Sequence, residues 1–175
     1  ILKEIVTDDM GLERFGLMLL NEINVHYSKN DILVWGDPAG QKRDEIFEVT
    51  AFDHLRTIGL NARPTASNDF QVRREAGAMP MNRFIDKRPG LLVYKDCHRL
   101  RKSLAGGYHF KRVAVGGGTE RFRDAPNKNE HSHVGDAFGY LMLGGGEHRA
   151  MTRGYGGRYG AAGSQHQAQV DFSLW

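Results

Sequence analysis

The chain has 175 residues, the length of one ordinary domain, and its 40% hydrophobic and 26% charged content excludes wholesale disorder. Its single cysteine, Cys97, excludes an internal disulfide framework, and no apolar run approaches the roughly 18 residues that a membrane span needs. The net charge of +3 hides an asymmetry, because residues 1–60 hold six Lys/Arg against eleven Asp/Glu while residues 61–175 hold eighteen against ten.

In chain order, residues 1–6 read as a strand, and Asp9 is placed to cap a helix whose Leu12, Phe15, Leu19 and Ile23 share one face. Ile32, Leu33, Val34 and Trp35 form a continuous apolar run of strand length, the pattern of a strand covered on both faces, and it ends at Gly36-Asp37-Pro38. Phe47, Ala51, Leu55 and Ile58 predict a second helix closed by Gly59, followed by a short strand over 60–65. Asn68 or Asp69 caps a third helix that Pro80 must end or kink. Pro89-Gly90 turns the chain into a strand over 91–94, and a short helix over 97–105 stops at Gly106-Gly107. Residues 108–115 read as a strand or hairpin arm, residues 116–129 as a polar loop, and 134–143 as a helix with Val134, Phe138 and Leu141 on one face. Residues 144–175 carry eight glycines and read as a flexible tail with an apolar end at Phe172 to Trp175. Strands alternating with helices predict an α/β sheet covered on both sides.

The candidate chemistry lies at two places. Asp37 follows a buried strand directly, and Pro38 biases it towards an extended backbone, which sets its carboxylate at the carboxyl edge of the sheet where open α/β folds bind ligands. The plainer alternative is a turn or helix-cap aspartate. His133 and Asp136, three residues apart at the start of the last helix, share a face and are either metal ligands or a polar helix start. Residues 83–112 hold nine Lys/Arg against two acids, which makes either a solvated face or a surface for a phosphate polyanion. Cys97 and His98 point about 100° apart on a helix and make a poor nucleophile–base pair, so Cys97 is read as a core residue. Zinc is disfavoured because one cysteine and scattered histidines give no four-ligand spacing.

Taken in order, Gly36-Asp37-Pro38-Ala39-Gly40, then Gly59 with Arg63-Pro64-Thr65-Ala66-Ser67-Asn68-Asp69, then Tyr94-Lys95-Asp96-Cys97 with Gly107-Tyr108, then Ser132-His133 with Asp136-Ala137 and Tyr140, form a set that resembles the nuclease domain of tailed-phage terminase large subunits. The likeness covers residues 1–143, with 144–175 as the tail. It implies a ribonuclease H-like mixed sheet with helices on both faces, and a metal-dependent endonuclease that cuts concatemeric double-stranded DNA during packaging. By that resemblance Asp37 and Asp136 are catalytic acids that hold Mg²⁺ or Mn²⁺, two ions in all, with His133 as a further ligand. Lys95, Arg99, Arg101, Lys102, Lys111 and Arg112 are the matching candidates for DNA backbone phosphates.

The resemblance further implies a portal or procapsid and a small terminase subunit as partners. It also implies no membrane association, and a location in the cytoplasm of an infected bacterial host or of one carrying a prophage, without secretion. The family has another aspartate on the first strand of its sheet, and nothing upstream of Ile1 supplies it here. The chain is therefore expected to be a fragment lacking the first strand, and the rival expectation is a nucleic-acid or capsid-binding module without a complete metal site.

Overall fold

A computed structural model describes residues 1–27, 32–45, 48–113 and 121–147; the expected tail beyond 147 and Phe47 lie outside the described residues. The chain is mixed α/β, and no helix among the described residues is long and apolar enough to cross a membrane.

Residues 1–6 are not a strand. Instead Ile1 pairs with the segment expected as the strand over 91–94, its amino group donating to the Leu92 carbonyl and its own carbonyl accepting from Tyr94 N at 2.9 Å. Those two bonds make an extended contact too short to count as a ladder. Asp9 does not cap the first helix, α1 (Leu12–His26); it sits at φ 52°, and Gly11 precedes the helix without a side-chain cap. Strand β1 (Val34–Gly36) runs into a 3₁₀ turn, Pro38–Gln41, whose first free amide is taken by Asp37: Ala39 N donates to Asp37 Oδ1 at 2.9 Å.

Helix α2 (Ala51–Ile58) starts later than its apolar spacing predicts, because Thr50 and Asp53 form a reciprocal capping box that satisfies the first free amides. Gly59 ends it at φ 107°, a left-handed conformation that costs a side chain with a Cβ and suits glycine. Strand β2 (Ala62–Pro64) pairs in parallel with β1, Val34 opposite Ala62 and Gly36 opposite Pro64.

Helix α3 (Phe70–Met81) is capped by Asp69, which accepts from Val72 N at 3.0 Å, and it ends one residue after Pro80 as the ring requires. A tight hairpin follows, β3 (Phe84–Ile85) with β4 (Arg88–Pro89), turned by Asp86 and Lys87 at φ 49° and 63°. Helix α4 (His98–Lys102) widens into a π-helical turn, Ser103–Gly107, that Gly106 terminates at φ 104°. The polar segment expected as loop contains a strand. β5 (Phe110–Val113) and β6 (Arg121–Pro126) form an antiparallel ribbon, and helix α5 (Ser132–Gly144) completes the order.

The predicted single sheet does not form: the described strands make three separate two-stranded sheets, of which only β1–β2 is parallel. Around them the core is mainly helical. Cys97, Leu100 and Phe138 are buried together beneath Ile1, Met81, Leu91, Val93, Leu104 and Val134, which places Cys97 in the core as expected. Close approach of α5 to its neighbours depends on glycine. A Cβ on Gly139 would sit 3.2 Å from Arg73 Cβ on α3, and one on Gly144 would sit 2.3 Å from the Trp35 indole on β1. These contacts bring the middle of α5 against α3 and its end against β1.

Candidate functional site

The backbone around Asp37 is fixed from two directions. Thr65, buried just beyond β2, donates its amide to the Gly36 carbonyl at 3.0 Å and thereby ties the ends of the two parallel strands together beside Asp37. Two residues beyond Ser67 comes the Asp69 cap, and between them Asn68 accepts from the Tyr140 hydroxyl of α5 at 2.5 Å. That hydroxyl gives its one proton to Asn68, and after burial the Asp37 carboxylate raises it further. Asp37 therefore stands at the carboxyl end of β1 as its position predicts, and it also performs the cap role that was the alternative reading.

Asp136 lies one turn before Tyr140 on α5. Its Oδ1 accepts from Arg73 Nη1 at 2.5 Å and from the Tyr108 hydroxyl at 3.0 Å, and its Oδ2 accepts from Lys128 Nζ at 2.5 Å. Arg73 is almost wholly enclosed, its side chain 8% exposed against 15% for Asp136 and 66% for Lys128. Its guanidinium rests over the Tyr140 ring at 4.5 Å and over Phe70 at 5.7 Å, a stacked placement in which a planar, permanently charged group keeps favourable contact while dehydrated. Burial by itself would raise the Asp136 carboxyl, yet the hydrogen bonds from Lys128 and Arg73 and the Arg73 charge hold it below its ordinary value. Burial raises the Tyr108 hydroxyl, and the Asp136 charge raises it further. Tyr140 is raised by burial first and then by the Asp37 carboxylate, with Asp136 adding to the shift.

Asp37 and Asp136 thus both raise the Tyr140 hydroxyl, Asp136 through its charge alone. A cleft beside Asp136, which Asp37 does not line, runs between α3, α5 and the base of the ribbon, lined by Phe70, Tyr108, Phe110 and Gly139 with Arg73 and Asp136 in its wall. As metal donors, Asp37 and Asp136 offer hard carboxylate oxygens suited to Mg²⁺ or Mn²⁺. On Asp136 the oxygen open to exchange is Oδ2, because it is held by an exposed lysine whereas Oδ1 is held by buried Arg73. Among the described residues no group of three or more His, Cys, Asp or Glu side chains stands together.

His133 is exposed on the first turn of α5. Of the six cations selected for DNA, all are exposed, but they fall on two elements and not on one continuous face of the chain. Lys95, Arg99, Arg101 and Lys102 cluster at α4, where Arg99 lies 3.9 Å from Asp8 and the Arg101 guanidinium donates to the Lys95 carbonyl. Lys111 and Arg112 are on β5. Glu4, an acid given no role by sequence, receives the Arg99 and Leu100 amides at 2.9 and 2.8 Å and so neutralises the amino end of α4.

Sequence reasoning missed Arg73 and Lys128. Arg73 had a signal: it heads a stripe with Ala76, Gly77 and Pro80, positions i, i+3, i+4 and i+7 of a buried helical face, where a charge demands a partner. Lys128 had none, since its pairing depends on the path of the ribbon. Comparisons with protein-family models, curated proteins and solved structures find no match to this chain.

Proposed function

We propose that this chain is the metal-dependent endonuclease domain of a viral DNA-packaging terminase large subunit, a ribonuclease H-like domain in which, among the described strands, only β1–β2 keeps the parallel pairing of the expected sheet, acting on double-stranded DNA in the cytoplasm of a bacterial host. What supports the reading is that Asp37, at the carboxyl end of a parallel strand, and Asp136, on the last described helix, both bear on Tyr140: each carboxylate raises its hydroxyl, and the Arg73 guanidinium that holds Asp136 lies over its ring. Carboxylates so far apart in sequence gather where a phosphodiester must be hydrolysed, because a water has to become nucleophilic and a leaving oxygen has to carry charge. Mg²⁺ or Mn²⁺, two ions for this chemistry, held by Asp37 and Asp136 with His133 at the margin, supplies both effects when bound.

The chain's own residues do the remainder. Arg73 keeps Asp136 ionised and oriented, the Ala39 amide orients Asp37, and the exposed cations of α4 and β5 hold backbone phosphates without reading sequence. Portal and small-subunit partners follow from the same reading.

A plasmid-nicking assay tests it, with protein expressed from its full reading frame and Mg²⁺ or Mn²⁺ supplied against an EDTA control. Metal-dependent nicking that Asp37→Asn and Asp136→Asn each abolish is the expected result; nicking unchanged in both variants refutes the assignment. A second reading, a nucleic-acid or capsid-binding module, is favoured by one observation: both oxygens of Asp136 are already engaged, Oδ1 by Arg73 and Tyr108 and Oδ2 by Lys128. Tight DNA binding with no nicking in any metal, and no Mn²⁺ uptake that Asp136→Asn removes, selects that reading.

A further inference from the structure

The β5–β6 ribbon is exposed along both strands, with only Phe110 and Pro126 at its base half-buried. A two-stranded ribbon covered on neither face gains little from burial, so the side chains it displays call for an explanation outside the core. Its ten described residues carry Lys111, Arg112, Arg121 and Arg123 against the single acid Asp124. Arg112 stands opposite Phe122 and lies over its ring at 5.8 Å. Arg121, opposite Val113, and Arg123, two residues on, share the other face. Among the described residues no carboxylate lies within ion-pair distance of Lys111, Arg121 or Arg123.

The ribbon is also fastened to the candidate site at both of its roots. Phe110 meets Phe70 edge-on at 5.5 Å, and Asn127 N donates to the His109 carbonyl at 2.8 Å, closing the base. Just beyond that closure on either side, Tyr108 and Lys128 converge on the two oxygens of Asp136.

We propose that the β5–β6 ribbon is an arm that binds the phosphate backbone of double-stranded DNA and delivers it to Asp136 at its root. The proposal takes its DNA substrate from the nuclease reading above and adds the surface that holds it, including Arg121 and Arg123. An antiparallel ribbon fits the major groove of B-form DNA, about 12 Å wide, whereas the deep and narrow major groove of A-form RNA excludes it. An anionic membrane would demand an apolar face, and among its described residues the ribbon's exposed large apolar side chains are Val113 and Phe122, the latter overlaid by Arg112. Six residues of β6 span about 20 Å, less than the roughly 34 Å of one duplex turn, so a backbone crossing the arginines comes to the acid within that turn.

Fluorescence anisotropy of a labelled duplex in EDTA tests the arm without cutting. Arg121→Gln/Arg123→Gln and Arg121→Glu/Arg123→Glu should weaken binding at least tenfold at low salt. Loss of two phosphate contacts should make the slope of log affinity against log salt shallower by about 2. Unchanged affinity and slope in the arginine variants overturn the proposal, as does a loss confined to RNA or anionic vesicles. Variants that cannot fold overturn it too, because their arginines would then be structural. Normal binding in the arginine variants while Asp37→Asn and Asp136→Asn stop nicking removes the arm and leaves the nuclease; lost binding with no nicking in any metal removes the nuclease and leaves the arm.

Discussion

Arg73→Met removes the charge at the centre of the site while keeping most of the apolar stem that lies between Phe70 and Tyr140. Removing one partner of a buried ion pair costs about 3 to 5 kcal/mol, since the other charge is left without compensation. Asp136 retains Lys128 and Tyr108, which places the loss at the lower end, about 3 kcal/mol. The stacking of the guanidinium over Tyr140 at 4.5 Å adds about 1 kcal/mol, part of which the methionine thioether recovers against the same rings. A total of about 3 to 4 kcal/mol corresponds to a fall of about 6 to 16 °C in melting temperature for a chain of this size. Urea unfolding followed by circular dichroism measures it. The decisive comparison is the cycle with Asp136→Asn: if the two side chains stabilise one another, the double variant should be more stable than the summed single losses by about 1.5 kcal/mol or more. A cost below about 1 kcal/mol for Arg73→Met, or additivity within about 0.5 kcal/mol, refutes the view that this pair organises the α3–α5 contact.

Two further outcomes follow from the same geometry. The Asp136 carboxyl is held below its ordinary value in the folded chain, so its contribution is present above the unfolded value, about pH 4, and is lost as pH falls through the folded value; Asp136→Asn should flatten the acid limb of a stability–pH curve. Tyr108 and Tyr140 are raised, so their contribution is whole below about pH 10 and is lost as pH rises beyond it, a limb that Tyr108→Phe should diminish. Gly144→Ala puts a methyl 2.3 Å from the Trp35 indole and should cost about 1 to 3 kcal/mol with a shift in tryptophan fluorescence, whereas an unchanged spectrum and melting curve contradict the close seating of α5 on β1.

What could be read from sequence was what local spacing governs. The Asp69 cap, the stop at Gly59 and the end of α3 after Pro80 each depend on residues within a turn or two of one another, and each was legible from capping chemistry, whereas of the face expected for α5 Phe138 is buried and Leu141 is exposed. Asp37 was legible too, because a strand followed by Asp-Pro places the carboxylate at the strand end, although β1 is half-buried and Leu33 exposed where the apolar run predicts a strand covered on both faces.

Partners far apart in sequence were decided by tertiary structure. Nothing local tells Ile1 to pair with residues 92 and 94, or Arg121 to face Val113 across a segment that reads as polar loop. The expected single sheet became three small ones because strand pairing is a long-range choice among several edges, with no period along the chain to specify it. The charge state of the candidate site has the same origin. Asp136 draws Arg73 from 63 residues away and Lys128 from the far root of the ribbon, and it was the packing of α3 on α5 that turned an ordinary helix arginine into the buried counter-ion of a carboxylate.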